Sequence, residues 1–225
     1  MLLAVFPCFG TAYKNQANIQ QQKMENFLIY RINQNKKLVK NNEIPLDEQL
    51  IASKYISNPY LINELKFDIR MYVLVTSYDP LVAYLYEEGL TRFATVKYQN
   101  TPKNLKTQCM HLTNYSVNKK NNEFIHNDDA DVEDFGNKWS LGALLRYLKS
   151  KNVDTTCLMM KIEDIIVKSL ISVEAPISAT SRMFQTYRSN CFELYGYDII
   201  IDENLRPWLL EARYLFQNSM NYLKI

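Results

Sequence analysis

The segment from Phe67 to Thr76 (FDIRMYVLVT) constrains the fold of this chain more than any other part of the sequence. Apolar and polar side chains alternate along it with a period of two, which is typical of a β-strand with one buried face. The apolar side of this strand carries Phe67, Ile69, Met71, Val73 and Val75, and the other side carries Lys66, Asp68, Arg70 and Tyr72. The pattern therefore predicts a sheet with a charged row on one face.

Turn signals after this segment predict an antiparallel meander. Ser77-Tyr78-Asp79-Pro80 and Glu87-Glu88-Gly89 are both typical of turns, and they separate two further apolar stretches. These stretches predict a second strand over Leu81–Tyr86 and a third over Leu90–Tyr98. A shorter apolar run at Phe27–Ile32 predicts one strand earlier in the chain.

Helices are predicted between the meander and a closing hairpin. Asn137 is a candidate N-cap for a helix through Leu148, and Asp154 for a second helix with an apolar stripe. A further helical stretch is expected over residues 176–187. The stripe of the second helix consists of Leu158, Ile162, Ile165, Ile166, Leu170 and Val173. Strands are expected again at Cys191–Ile201 and Leu205–Glu211, so the predicted fold class is α+β.

The composition excludes several classes of protein. With 5 glycines in 225 residues, a glycine-rich phosphate loop is not expected, and a net charge of +2 does not suit a dedicated nucleic-acid binder. The four cysteines are scattered and form neither a zinc pattern nor a disulfide framework, which is typical of a cytosolic protein. No apolar run is long enough for a transmembrane helix, and the first ten residues lack the basic region of a signal peptide.

The closing hairpin contains a pair of carboxylates that could bind a metal ion. A two-residue turn at Glu203-Asn204 places Asp198 opposite Leu209 and makes Glu211 its diagonal neighbour on the same face. Two carboxylates so close repel each other unless a cation lies between them, and carboxylate oxygens suit Mg²⁺. The alternative is that both residues are exposed on the strand and bind nothing.

Three other groups of polar residues are candidates for ligand binding. The row of Lys66, Asp68 and Arg70 could hold phosphate and ribose, or it could be an ordinary solvated face with weak ion pairs. The polar run from Thr113 to Ser116 could orient a ligand or only form a turn, and the neighbouring His111 could equally be a core histidine. Two isolated cations, Arg92 and Lys138, could each clamp a carboxylate, or they could be ordinary surface residues.

Four long motifs resemble the tubulin tyrosine ligase-like family. They are YISNPYLINELKFDIRMYVLVTSYDPLVAYLYEEGLTRFATVKY, MHLTNYSVNKKN, EDFGNKWSLGALLRYL and CFELYGYDIIIDENLRPWLLE, in the order expected of the family. The resemblance spans residues 51–211, and from residue 110 it is most similar to the tubulin polyglutamylase branch. It implies an ATP-grasp-like α+β fold with a mostly antiparallel sheet and an incomplete N-terminal lobe. The implied organisation is a divergent segment at 1–24 and a partial family domain at 25–225.

The resemblance also implies an activity. Members of the family use ATP and Mg²⁺, and a polyglutamylase adds free L-glutamate to glutamate side chains of tubulin C-terminal tails. The tail carboxylate is activated as an acyl phosphate, which the amine of glutamate then attacks, so the protein supplies positioning and charge neutralisation. The implied partners are tubulin or microtubules, without nucleic acid or membrane. The implied form is a monomer in the cytoplasm, on the cytoskeleton or at a cilium or basal body.

Family positions carry over to this sequence residue by residue. The residues implied to border adenine are Lys54, Tyr55 and Ile56. The residues implied to contact other parts of the nucleotide are Lys66, Asp68, Arg70, Thr113 and Asn114. The incoming glutamate is implied to bind Arg92, Tyr115, Ser116 and Lys138, of which Arg92 and Lys138 are also the implied catalytic residues. The implied Mg²⁺ ligands are Asp198 and Glu211.

The sequence also departs from the family pattern. Arg213 replaces the asparagine that helps to bind Mg²⁺, and a guanidinium cannot ligate a metal. Residues 26–29 lack the glycine pair and arginine that close over the phosphates, and no cationic extension follows Glu211. We expect a truncated or misassembled gene product. The alternatives are an inactive member that only binds tubulin tails or nucleotide, and an active enzyme with altered metal binding.

Overall fold

The computed structural model describes residues 27–32, 35–40, 51–101, 104, 107–129, 131–184 and 192–215, with side chains over residues 55–183 and 192–215 of these ranges. The first elements form a three-stranded antiparallel sheet in the order β2-β1-β3. Its strands are β1 (Phe27–Ile32), β2 (Asn35–Lys40) and β3 (Ile51–Lys54). The predicted strand at Phe27–Ile32 is confirmed, whereas the expectations for the segments at 1–24 and 26 lie outside the described residues.

A second, larger antiparallel sheet has the strand order β7-β6-β5-β8-β9, with a short strand β4 on β5. Its strands are β4 (Leu61–Ile62), β5 (Leu65–Tyr78), β6 (Leu81–Phe93), β7 (Lys138–Ser140), β8 (Glu193–Ile201) and β9 (Pro207–Tyr214). The helices are α1 (Gln108–His111), α2 (Tyr115–Asn118), α3 (Leu141–Ser150) and α4 (Thr155–Phe184). The α+β fold class is therefore confirmed. None of the helices in the described ranges is long and apolar enough to cross a membrane.

The core lies between the apolar face of the large sheet and the two long helices. All five apolar residues predicted on β5 are at most 1% exposed. Four residues of the α4 stripe pack into the same core, and burying each such side chain contributes about 1.5–3 kcal/mol. They are Leu158, Ile162, Ile166 and Leu170. Asp154 caps α4 as predicted, because its Oδ1 accepts a hydrogen bond from the Cys157 amide at 2.9 Å.

The predicted three-strand meander is wrong, because Glu87-Glu88-Gly89 does not turn the chain. β6 runs unbroken past it, and Met71 pairs with Gly89 while Val73 pairs with Leu85. Three residues of β6 therefore face one residue of β5, which makes this polar segment a bulge. Gly89 allows the close approach of the strands, since a Cβ atom there would lie 2.7 Å from the Arg70 carbonyl oxygen.

Two details of the helix predictions also need correction. Ser140, not Asn137, caps α3, because its Oγ accepts from the Ala143 amide at 3.0 Å. Asn137 is buried before β7, where it donates to the Ala94 carbonyl and accepts from a loop amide. The helical stretch predicted from Pro176 is not separate, since α4 continues through this proline.

Candidate active site

The charged row on β5 is buried rather than solvated. Lys66 is 4% exposed and Asp68 is 1% exposed, so the interpretation of this row as an ordinary surface is wrong. Alternate residues of one strand share a face and are separated by about 6.6–6.8 Å, which spaces Lys66, Asp68 and Arg70 evenly along it. A buried charge is stable only with a partner, and the neighbouring strands supply those partners.

Arg92 links two of the buried carboxylates. It lies directly opposite Asp68 in the pairing of β5 with β6, and its guanidinium binds both oxygens of that carboxylate in a fork, with Nε 3.0 Å from Oδ1. Its Nη2 also lies 2.9 Å from Oδ1 of Asp198. Burial of Arg92 disfavours its charged form, but the two carboxylates outweigh burial and raise its pKa above the ordinary value.

Arg70 forms a second fork on the same face of the sheet, toward β8 rather than β6. β8 pairs with β5 so that Asp198 lies opposite Arg70, and Nε and Nη2 of Arg70 contact the two Asp198 oxygens at 2.6 and 3.1 Å. Gly196, two residues before Asp198, leaves room for this arginine, because a Cβ atom there would lie 3.2 Å from Nη1 of Arg70. Two arginines thus hold a carboxylate that is 1% exposed.

The closing hairpin places Glu211 directly beside Asp198, not diagonally. The turn has three residues, with Leu205 at φ +58°, rather than the predicted two, so Ile201 pairs with Pro207. A β-bulge then shifts the register by one more residue, and Asp198 pairs with Glu211. Glu211 is 7% exposed, so the alternative of two exposed carboxylates is wrong. The Arg213 Nε lies 2.9 Å from Oε1 of Glu211.

The residues predicted to hold glutamate gather around β7. Lys138 on β7 lies opposite Arg92 on β6, and Arg92 lies opposite Asp68 on β5. These three residues therefore form a line across three neighbouring strands. The Lys138 ammonium lies 4.0 Å from the ring centroid of Tyr115 at the start of α2. Tyr115 and the following Ser116 are both exposed. The structure therefore brings Arg92, Tyr115 and Lys138 to one side of the sheet.

Asn118 is a residue that the sequence prediction missed. It is 0% exposed, its Oδ1 accepts from both the amide and the hydroxyl of Thr95 at 3.0 Å, and its Nδ2 donates to the Leu112 and Asn114 carbonyls. These bonds attach the loop that carries Thr113 and Asn114 to the end of β6. The HLTNYSVN motif already contains Asn118, but only the fold shows that this amide is the anchor.

Lys66 ends in an aromatic cluster at the other end of the charged row. Its Nζ lies 3.2 Å from the Tyr55 hydroxyl and 4.4 Å from the centroid of that ring. The other members of this cluster are Tyr98 and His111, so the interpretation of His111 as a core histidine is confirmed. Of the predicted adenine residues, Ile56 is half-buried, and the Lys54 side chain lies outside the described residues.

The chain is similar in sequence to known proteins of one family. The profile of the group described as "Tubulin-tyrosine ligase family" matches residues 16–215. The chain belongs to this family. "Tubulin polyglutamylase TTLL5" of Mus musculus is 58% identical over 171 residues, which are 76% of this chain and 13% of that relative.

More distant members of the tubulin-tyrosine ligase family match the same share of the chain. "Tubulin polyglutamylase ttll-5" of Caenorhabditis elegans is 46% identical over 171 residues, or 76% of this chain and 23% of that relative. "Tubulin monoglutamylase TTLL4" of Homo sapiens is 46% identical over 76% of this chain and 14% of its own length. The chain thus spans between 13% and 23% of these curated relatives.

The carboxylates of the hairpin have the chemistry that Mg²⁺ requires. Asp198 and Glu211 are adjacent and buried, and Mg²⁺ is commonly held by one or two carboxylates together with substrate phosphates. Over the described residues there is no group of three or more His, Cys, Asp or Glu that could hold a metal ion. Two protein carboxylates fit a metal that is bound jointly with a nucleotide better than one bound by the protein alone.

Proposed function

We propose that this chain carries the ligase site of a tubulin polyglutamylase, which uses ATP and Mg²⁺ to join free glutamate to glutamate side chains of tubulin C-terminal tails. The observation that carries the proposal is the buried arrangement of Asp68, Arg70, Arg92, Asp198 and Glu211 on one face of the sheet. The polyglutamylase relatives support the choice of substrate.

The charged row on β5 and the carboxylates of the hairpin have separate roles in this proposal. Lys66, Asp68 and Arg70 would face the nucleotide, with Thr113 and Asn114 as further contacts. Bound Mg²⁺ would be held by Asp198 and Glu211, and it would neutralise charge on the phosphates. The fork from Arg70 and the contact from Nη2 of Arg92 keep the Asp198 carboxylate in one orientation before any ligand arrives, so it need not reorganise on binding.

The other cations would bind the acidic substrates. Arg92 and Lys138 are cross-strand neighbours, and with Tyr115 and Ser116 they form the proposed glutamate site. A guanidinium and an ammonium suit the two carboxylates of free glutamate, which leaves its amine free to attack the activated tail carboxylate. The acyl carbon then loses phosphate as the new amide bond forms.

One contact favours a second candidate function, a binding module without catalysis. Arg213 lies 2.9 Å from Glu211 and competes with a metal ion for that carboxylate. In this alternative the chain binds ATP or a tubulin tail, but it does not transfer glutamate.

Labelled glutamate distinguishes the two functions. The chain is incubated with microtubules, ATP, Mg²⁺ and labelled glutamate, beside the variants Asp198→Asn and Asp164→Asn. Asp164 is a matched control, because it lies exposed on α4. The ligase proposal predicts label on tubulin with the wild-type chain and with Asp164→Asn but not with Asp198→Asn. Folded wild-type chain that binds ATP without labelling tubulin supports the binding module instead.

A further inference from the structure

A cluster of one ammonium, two phenols and one imidazole lies at the Lys66 end of the charged row. Lys66, Tyr55 and His111 are buried, and Tyr98 is half-buried. The Lys66 Nζ contacts the Tyr55 hydroxyl at 3.2 Å, and that hydroxyl lies 2.9 Å from Nδ1 of His111. The Tyr98 hydroxyl lies 3.2 Å from the Tyr55 hydroxyl. The His111 ring packs edge-on against both tyrosine rings, so the cluster leaves little freedom to its members.

The hydrogen-bond donors and acceptors of this cluster can be assigned one after another, starting from the Asn104 carbonyl. A carbonyl oxygen only accepts, so His111 donates from Nε2 to the Asn104 carbonyl at 3.1 Å. Nδ1 of the neutral imidazole is then an acceptor, and it is the nearer of the two acceptors available to the Tyr55 proton. An ammonium only donates, so Lys66 donates to the Tyr55 oxygen. A chain of bonds therefore runs from Lys66 through Tyr55 and His111 to Asn104.

Protonation of His111 would reverse this chain. Nδ1 would become a donor, so the Tyr55 oxygen would face two cationic donors, Lys66 and His111, and the Tyr55 hydroxyl would turn to donate its hydrogen bond to Tyr98 instead. Burial and the charge of Lys66 lower the pKa of His111, although the Asn104 carbonyl opposes them. Burial also raises the pKa values of Tyr55 and Tyr98, so both phenols stay protonated. The titratable groups that face His111 are therefore Lys66 on β5, Tyr55 after β3 and Tyr98 after β6.

We propose that His111 is a positioning residue for Lys66: neutral His111 orients the Tyr55 hydroxyl to hold the ammonium toward the nucleotide, and protonated His111 releases it. ATP affinity then decreases as the solution becomes acidic. This inference rests on the proposed contact of Lys66 with the nucleotide. His111 acts only through Tyr55 and has no catalytic role in this account.

ATP binding across pH tests the inference with variants that separate geometry from protonation. In His111→Asn the side-chain oxygen can still accept from Tyr55 but does not titrate. His111→Leu and Tyr55→Phe each remove the bond between Tyr55 and His111 together with one further bond of the chain. The other histidine of the chain, His126, is exposed, and His126→Asn is the matched control. ATP affinity is measured by calorimetry from pH 5.5 to pH 8. Because phosphate groups also titrate near pH 6, the readout is the ratio of wild-type to His111→Asn affinity at each pH.

We expect the ratio of wild-type to His111→Asn affinity to fall at acidic pH. The ratio of His126→Asn to His111→Asn affinity should fall in the same way. At pH 8 we expect His111→Asn to bind ATP as the wild-type chain does. Tyr55→Phe removes the bond to the Lys66 ammonium and should lose affinity about tenfold, the size of one lost hydrogen bond to a charged group. His111→Leu should also lose affinity, because the Tyr55 hydroxyl is then no longer oriented. Tyr55→Phe removes only a hydroxyl, so it provides a test even if His111→Leu does not fold.

Two results would overturn the inference: a ratio that is constant across pH, or Tyr55→Phe with wild-type ATP affinity at pH 8. Lys66→Met separates this failure from failure of the proposed function. If Lys66→Met loses ATP affinity while Tyr55→Phe does not, only the role of His111 is wrong. If Lys66→Met binds ATP as well as the wild-type chain, the proposed nucleotide contact is wrong and the role of His111 is wrong with it.

Discussion

Replacing Arg92 by methionine should destabilise the fold strongly, because it leaves Asp68 buried without its guanidinium. The Asp68 carboxylate is 1% exposed, and Arg92 binds both of its oxygens. Removing one partner of a buried ion pair typically costs about 3–5 kcal/mol, which is a large part of the ~5–15 kcal/mol that stabilises a typical domain. Urea unfolding followed by circular dichroism measures the free energy of unfolding for Arg92→Met and for the wild-type chain.

An exposed ion pair in the same chain provides the control. Lys97 and Glu64 form a salt bridge in which both side chains are 68% exposed, so Lys97→Met should cost less than about 1 kcal/mol. Adding Asp68→Asn to Arg92→Met should recover part of the loss, since the orphaned charge is then removed. A cost for Arg92→Met no larger than that for Lys97→Met, or no recovery with Asp68→Asn, would refute the role of Arg92 as the partner of Asp68.

Three further predictions concern local features of the fold. Asp154→Ala removes the α4 cap from the Cys157 amide and should cost about 1 kcal/mol in urea unfolding; an unchanged midpoint contradicts this. Gly89→Ala should lower the melting temperature, because its Cβ would lie 2.7 Å from the Arg70 carbonyl oxygen; wild-type melting contradicts this. Stability should fall as the pH drops below 6.5, because the unfolded chain protonates His111 near that value, whereas burial lowers the pKa of His111 in the fold, so that the folded chain takes up this proton only at more acidic pH. His111→Asn should lose this dependence, and a slope identical to that of the wild-type chain would contradict the assignment.

The sequence predicted the faces of β5 correctly because alternation is a local property. A period of two places Phe67 and Ile69 on one side and Asp68 on the other, whatever the partner strands are. The proximity of Asp198 and Glu211 was also predictable, since a hairpin brings its own two strands together. These predictions needed only the order of residues along a short segment.

The register of the strands could not be predicted in the same way. The bulges opposite Tyr72 and beside Asp198 depend on how the partner strands pack, and the polar segment at Glu87 reads equally well as a turn. Burial of the charged row was missed for a related reason. Whether Asp68 is solvated depends on Arg92 across the sheet, 24 residues away in the chain, and alternation within β5 carries no information about that partner.

The dependence of ATP binding on Mg²⁺ tests the central claim most directly. Calorimetric titration with ATP, with and without Mg²⁺, is compared for the wild-type chain and Glu211→Gln, which keeps the size of the side chain and removes its charge. A carboxylate pair that holds Mg²⁺ together with the phosphates predicts tighter ATP binding with Mg²⁺ in the wild-type chain, and a smaller gain in Glu211→Gln. Equal ATP affinity with and without Mg²⁺ in the wild-type chain would contradict the account.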